Sequence, residues 1–347
     1  MTRNISRRDF LKFSGLALTS LAFKPAFDFG ELQQSELICR IATTSVSVHS
    51  QPDDHSVIKF QRFRDELVNI YYEVISDKSP KYNPLWYRVW GGYIHSAHTQ
   101  RVYVKINPVP SSFPEGMYAI EVTVPYSQSY LHRKTEWEPI YRLYYSTVHW
   151  AVGLVEGPDG EPWFRIKDEM LMYDNLDYYI PAKHARLIPV EETTPISPDV
   201  PSDKKYIEVS LTDQELTAFE NGTVILKTKI SSGLDYTPPG QTTWNTPQGR
   251  FFVQTKMPSK HMGGGALTDD LEAYVLPGVS WASFFEPVTG VAFHGTYWHQ
   301  NFGMPMSHGC VNMRTEDARW IFRWVTPPVD MQKMTTTGLG TQVLVYY

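Results

Sequence analysis

Apolar and polar residues alternate along most of this chain with a period of two, the repeat of a strand with one face buried. Ser45-Val46-Ser47-Val48 and Glu66-Leu67-Val68-Asn69-Ile70 read as short strands, and Ile207-Glu208-Val209-Ser210-Leu211 directs its apolar residues to a single side. Asn221-Gly222, set between apolar runs at 216–219 and 223–230, predicts a tight hairpin, because both residues tolerate positive φ. Thr246-Pro247-Gln248-Gly249-Arg250-Phe251 turns into a further strand, and residues 342–346 supply a closing one. A single stretch predicts a helix. Thr315 can cap it, Glu316 and Asp317 lie in the first turn of a body reaching Val325, and Pro327-Pro328 stops it. The expectation is a mainly β protein with one C-terminal helix.

Self-similarity divides the N-terminal half. Trp86-Tyr87-Arg88-Val89, a Gly91-Gly92 turn and Tyr93-Ile94-His95 are echoed by Trp163-Phe164-Arg165-Ile166 and Tyr179-Ile180-Pro181. The spacing differs, with about ten extra positions inserted at 167–178. The first run resembles the closing strands of a bacterial SH3-like module. We therefore expect two small SH3-like barrels, at 38–109 and 110–188, with Trp86 and Trp163 in their cores. Residues 189–205 hold four prolines among acidic and hydroxyl residues, a composition that favours an extended, semi-rigid spacer. A third unit occupies 206–347. Within it, residues 257–290 carry Gly263-Gly264-Gly265 and read as a long functional loop, one wall of a cleft or a lid.

Composition adds export. The chain has 347 residues, 42% of them hydrophobic, and a net charge of −5. Ser6-Arg7-Arg8-Asp9-Phe10-Leu11-Lys12, followed by an apolar run from Phe13 to Phe23, resembles a twin-arginine export signal; residues 1–26 form this segment. It implies a periplasmic or extracellular, wall-associated protein, tethered to the membrane where the segment is not cleaved. This segment carries a net +4, which leaves about −9 for the remainder and argues against nucleic acid as a partner. The two cysteines, Cys39 and Cys310, could in principle be bridged in an oxidising compartment. A permanent bridge would consume a Cys310 nucleophile, so Cys39 is expected to be structural.

The candidate chemistry lies at 291–313. His294 ends an apolar run, Gly303-Met304-Pro305 bends the chain, and Cys310 follows sixteen residues after His294. A free thiol, with a pKa of about 8.5, needs a base in reach to be an efficient nucleophile at neutral pH. The spacing suggests a Cys/His acyl-transfer pair. A buried structural cysteine is one alternative; zinc held by His294, His299, His308 and Cys310 is another, disfavoured by the two-residue His308–Cys310 spacing. Backbone N–H groups of His308, Gly309 and Cys310 are placed to receive an oxyanion, each such donor being worth roughly 3–4 kcal/mol in comparable sites.

The frame His294-Gly295-Thr296 followed by Gly303-x-Pro305-x-Ser307-His308-Gly309-Cys310-Val311-Asn312 resembles the signature of the L,D-transpeptidase (YkuD) catalytic domain, and the likeness extends over roughly 205–347. Many members of that family carry arginine at the Asn312 position. The resemblance implies Cys310 as nucleophile and His294 as general base, with the backbone carbonyl of Gly295 orienting the imidazole. Ser307, His308 and Asn312 would shape the cleft. It implies no metal and no cofactor. Peptidoglycan stem peptides would be donor and acceptor in 3→3 cross-linking, and β-lactams of the carbapenem type would acylate the cysteine. Water in place of the amine acceptor would make the protein an L,D-carboxypeptidase; an idle third unit would leave a wall-binding SH3-like scaffold.

Overall fold

The computed structural model describes residues 37–170, 177–240, 243–264, 274–286 and 288–347. The segment expected to be a twin-arginine signal lies outside them. The chain is mainly β, with one α-helix among the described residues, and no helix there is long and apolar enough to cross a membrane.

Residues 38–102 form two sheets. One orders Leu67–Asn69, Ile38–Ile41 and Thr99–Val102; the other orders Ile58–Phe63, Ser45–His49, Gly92–His95, Leu85–Val89 and Tyr72–Ile75. Residues 118–187 build one seven-stranded sheet, from Glu136–Tyr144 at one edge to Ala185–Leu187 at the other. All three sheets have open strand orders, so no closed barrel is formed by the described strands. The internal repeat has a structural counterpart. Leu85–Val89 pairs with Gly92–His95, which leads through the 3-10 turn Ser96–His98 into Thr99–Val102. Pro162–Lys167 likewise pairs with Asp177–Pro181, which leads through Ala182–His184 into Ala185–Leu187. Trp86 and Trp163 are buried, and Cys39 is a free thiol inside the first unit's core, with burial pushing it up to about 12.

The segment expected to be a spacer is strapped to the third unit. Between its 3-10 turns Val190–Glu192 and Ser202–Lys204, Ile196 N–H donates to the Arg323 carbonyl at 3.0 Å. The Glu192 carboxylate takes Arg186 in a two-pronged pair and also meets Arg319 of the helix. Arg186, foremost, holds that carboxyl down at about 2. Proline-rich composition signals an extended backbone. It carries no information about the arginines that meet the segment in space.

Two five-stranded sheets make the third unit. In one, the unit's first strand, Lys205–Ser210, lies parallel to its last, Gln342–Tyr346, and the Asn221-Gly222 hairpin adds the outer strands. Asn221 and Gly222 have φ of 50° and 79°, as the tight turn requires. The other sheet orders Val311–Met313, Val291–Gly295, Tyr274–Glu286, Thr255–Gly264 and Thr336–Thr337. Thus much of the stretch expected as a loop over 257–290 is a pair of long antiparallel strands, joined through residues outside the described ones. Pro258, Gly263 and the Pro277-Gly278 pair disguise their alternation.

The helix, Thr315–Trp324, starts one residue earlier than expected. Its N-cap is Arg314, with no side-chain cap bond, so Thr315 is the first helical residue rather than the cap. Ala318, Ile321, Phe322 and Trp324 bury its inner face against Trp281, Phe285 and Phe293. The same core takes in Ala119, Val148 and Trp150, so the second and third units share it.

Candidate active site

Strand Val291–Gly295 is buried along its whole length and runs parallel to Val311–Met313, with Phe293 opposite Val311 and His294 opposite Asn312. Alternation along the pleat puts His294 and Asn312 on one face, and Cys310, two residues before Asn312, on the same face. The loop between the strands makes the return that parallel pairing needs. His294, Cys310, Ser307, His308 and Asn312 all line one cavity of about 460 Å³.

His294 is 2% exposed, and its Nδ1 lies 3.0 Å from the carbonyl oxygen of Gly295. A carbonyl only accepts, so Nδ1 carries the proton and the Nε2 lone pair is left to act as base. Burial pulls the imidazole down to about 4, against the opposing effect of the Gly295 bond. Glycine at 295 is a packing requirement: a Cβ there would fall 2.8 Å from Ser280 Oγ and 3.2 Å from Thr315 Cα.

Cys310 is half-buried, and its thiol points to the Gly290 carbonyl at 3.7 Å. Burial pushes it up to about 11, with the Ala292 backbone acting the other way. The resting pair at neutral pH is therefore thiol and neutral imidazole, not thiolate and imidazolium. In such a site the proton moves to the base as the sulfur attacks, not beforehand.

The turn before the cysteine is built by small hydrogen-bonding groups. Ser307 Oγ donates to the Cys310 carbonyl and accepts the Gly309 N–H at 3.2 Å. Of the three N–H groups expected to serve an oxyanion, that of Gly309 is engaged here, and a substrate oxygen would have to displace the serine. Gly309 has φ +119°, open to glycine and strained for other residues. Thr246 Oγ1 holds the turn from below, donating to the Gly309 carbonyl at 2.7 Å and accepting the Gly233 N–H at 2.8 Å. The ring of His308 stacks on Trp244, centroids 3.9 Å apart.

Sequence reasoning missed several residues. His299, considered only as a zinc ligand, is 2% exposed and supports Asn312. Its Nδ1 accepts the Asn301 N–H at 3.1 Å, so Nε2 carries the ring proton, and the Asn312 side-chain amide meets Nε2 at 2.9 Å. That proton suits the carboxamide oxygen of Asn312, which otherwise is a buried acceptor with no donor. With both nitrogens engaged, His299 is unsuited to zinc, and the described residues contain no cluster of three metal-ligating side chains. Trp298, Met262 and Leu276 also line the cavity, and so do Ala42, Thr43, Arg64 and His98 of the first unit. Nothing local in the sequence marks these last four.

Comparison with known proteins supports the reading of the third unit. Residues 204–345 match the family model of the L,D-transpeptidase catalytic domain, YkuD. The putative L,D-transpeptidase YciB of Bacillus subtilis (strain 168) is 26% identical over 131 residues, covering 36% of this chain and 63% of that protein. Among solved structures, the Ldtfm–avibactam carbamoyl enzyme is 28% identical, covering 42% of this chain and 49% of the other, with a TM-score of 0.32. The E. faecium L,D-transpeptidase catalytic domain acylated by ertapenem is 30% identical over 41% of this chain and 97% of that one, TM-score 0.30. The chain thus spans about half to two thirds of the length of the first two relatives.

Proposed function

We propose that the protein is an exported peptidoglycan L,D-transpeptidase working through a Cys310 thioester. The observation that carries this reading is the His294 Nδ1–Gly295 carbonyl contact at 3.0 Å, in a cavity that also holds Cys310. It leaves Nε2 unprotonated on a residue diagonal to the nucleophile across a parallel strand pair.

In this mechanism the Cys310 sulfur attacks the carbonyl at the L,D bond of a tetrapeptide stem while His294 Nε2 takes the thiol proton. Backbone N–H groups at 308–310 receive the oxyanion, that of Gly309 by exchanging its Ser307 Oγ partner for the substrate oxygen. Collapse expels the terminal D-residue as its amine, protonated by His294, and leaves a thioester on Cys310. The side-chain amine of a second stem's diamino acid then attacks the thioester, giving a 3→3 cross-link and free thiol. A carbapenem would enter the same first step and stop at the acyl-enzyme. Residues 1–26 would route the chain through the twin-arginine pathway.

Incubation with tetrapeptide muropeptides and mass analysis of the products tests the reading. Cross-linked dimers are expected, and Cys310→Ala should abolish them. Tripeptides alone would assign an L,D-carboxypeptidase. An unchanged substrate, or dimers formed by the Cys310→Ala protein, would defeat the proposal.

A further inference from the structure

The first β unit forms part of the catalytic cavity. Ala42, Thr43, Arg64 and His98 are the first unit's share of its lining, in the same cavity as His294 and Cys310. The first unit is held rigidly to the loop between His294 and Cys310. Gln300 N–H donates to the Ala97 carbonyl at 2.8 Å, and the Asn83 amide donates to the Gln300 carbonyl at 3.3 Å and to Asn301 Oδ1 at 3.1 Å.

Within this lining Arg64 stands apart. Arg62 and Arg142, by contrast, are each committed to a carboxylate, Glu66 and Asp65 respectively. The Arg64 side chain is exposed and has no ion-pair or hydrogen-bond partner among the described residues. Its backbone is fixed all the same: its N–H donates to the Thr44 carbonyl at 3.1 Å, and the next residue, Asp65, is clamped between Arg40 and Arg142. Among the described residues no aspartate or glutamate lines the cavity, and His98 beside Arg64 is drawn below its ordinary value by burial and by His95. Arg64 is therefore the one arginine, lysine or carboxylate side chain among the described residues that line the cavity.

We propose that Arg64 is a specificity-determining residue, which receives a carboxylate of the bound peptide in a two-pronged ion pair. Guanidinium geometry matches a carboxylate in this way where an ammonium supplies only a point charge. The first unit is then part of the substrate site and not a spacer. The proposal rests on reading the cavity as a peptide acyl-transfer site.

The test is calorimetric titration of the unreactive Cys310→Ala protein with an acidic tetrapeptide stem and with versions in which each carboxylate in turn is a carboxamide. Adding Arg64→Ala should weaken binding of the parent peptide at least tenfold, and Arg64→Lys should recover part of that. One amidated peptide should bind equally well with or without Arg64. Equal affinity of both proteins for the parent peptide, no measurable binding, or a loss that is the same for every amidated peptide would each overturn the proposal. The cysteine-bearing protein separates this from the functional reading. Thioester formation at unchanged KM in Arg64→Ala would leave the enzyme and remove the Arg64 role. Arg64-dependent binding without any thioester would do the reverse.

Discussion

Arg40 Nη2 donates to the carbonyl oxygen of Tyr297 at 2.8 Å across 257 residues of chain. The same guanidinium, 2% exposed, pairs with Asp65 at 2.9 Å and lies 3.9 Å over the Tyr144 ring. Asp65 also takes Arg142, and Tyr144 stacks on Tyr297. One buried ion pair thereby ties the first and second units to the loop that follows His294.

Removing Arg40 leaves Asp65 buried with the half-exposed Arg142 as its one remaining ion-pair partner and the Tyr144 hydroxyl as a weaker donor. Loss of one member of a buried pair costs about 3–5 kcal/mol, so Arg40→Ala should lower the denaturation midpoint markedly. Acylation of Cys310 should fall in the still-folded fraction, because the Tyr297 carbonyl loses its donor. A variant with wild-type stability and acylation rate would show that the staple is not structural.

The neutral Cys310–His294 pair has its own pH signature. Alkylation by a small neutral reagent needs thiolate, so its rate should climb about tenfold per pH unit through neutrality towards about 11, with no plateau near pH 7. Acylation by a carbonyl substrate uses neutral His294 and should hold level from about pH 5 upward, falling as the pH approaches 4. His294→Ala should cost about 10²–10⁴-fold in acylation with the fold retained. An alkylation plateau at neutral pH would instead mark a preformed thiolate.

Acid stability follows from the buried histidines. Burial pulls His149 and His299 to about 3, and His184 and His294 to about 4, all below the ordinary 6.5. Between those values the unfolded chain binds more protons than the folded one, so stability present above about 6.5 is lost as pH falls towards 3. Scanning calorimetry should show a midpoint falling steadily over that window. A midpoint independent of pH from 7 to 4 would contradict it.

Thr246 offers a test of the proposed mechanism, at the turn before Cys310, that leaves the Cys310 and His294 side chains in place. Thr246→Val removes the acceptor for Gly233 N–H and the donor to Gly309 carbonyl in a buried site, at a cost of about 1–3 kcal/mol. The expected outcome is a lower kcat for acylation with little change in KM, measured beside a modest drop in thermal midpoint. Unchanged kcat would mean that the turn holds its shape without this hydroxyl.

Local patterning accounts for much of what was legible in the sequence. Alternation, Asn221-Gly222 and the acidic first turn of the helix are short-range signals, because strand pleat, turn and helix entry are decided within a few residues. They led to a mainly β chain with one helix and to the apolar run that ends at His294. Signals of the same range misled where prolines and glycines interrupt long strands at 255–286, and where Thr315 was read as a cap although the helix runs straight on from the preceding strand through Arg314.

By itself the sequence determined the element types and the His294…Cys310 frame, since both depend on neighbouring residues and on the length of one loop. Tertiary structure alone decided the protonation of the pair, because burial sets it and burial belongs to the packed chain. It also decided that Glu192 straps the proline-rich segment to Arg186 and Arg319, and that Arg64 and His98 line the same cavity as Cys310. These meetings join residues up to more than two hundred positions apart, and no periodicity or spacing along a chain encodes which of its arginines will come there.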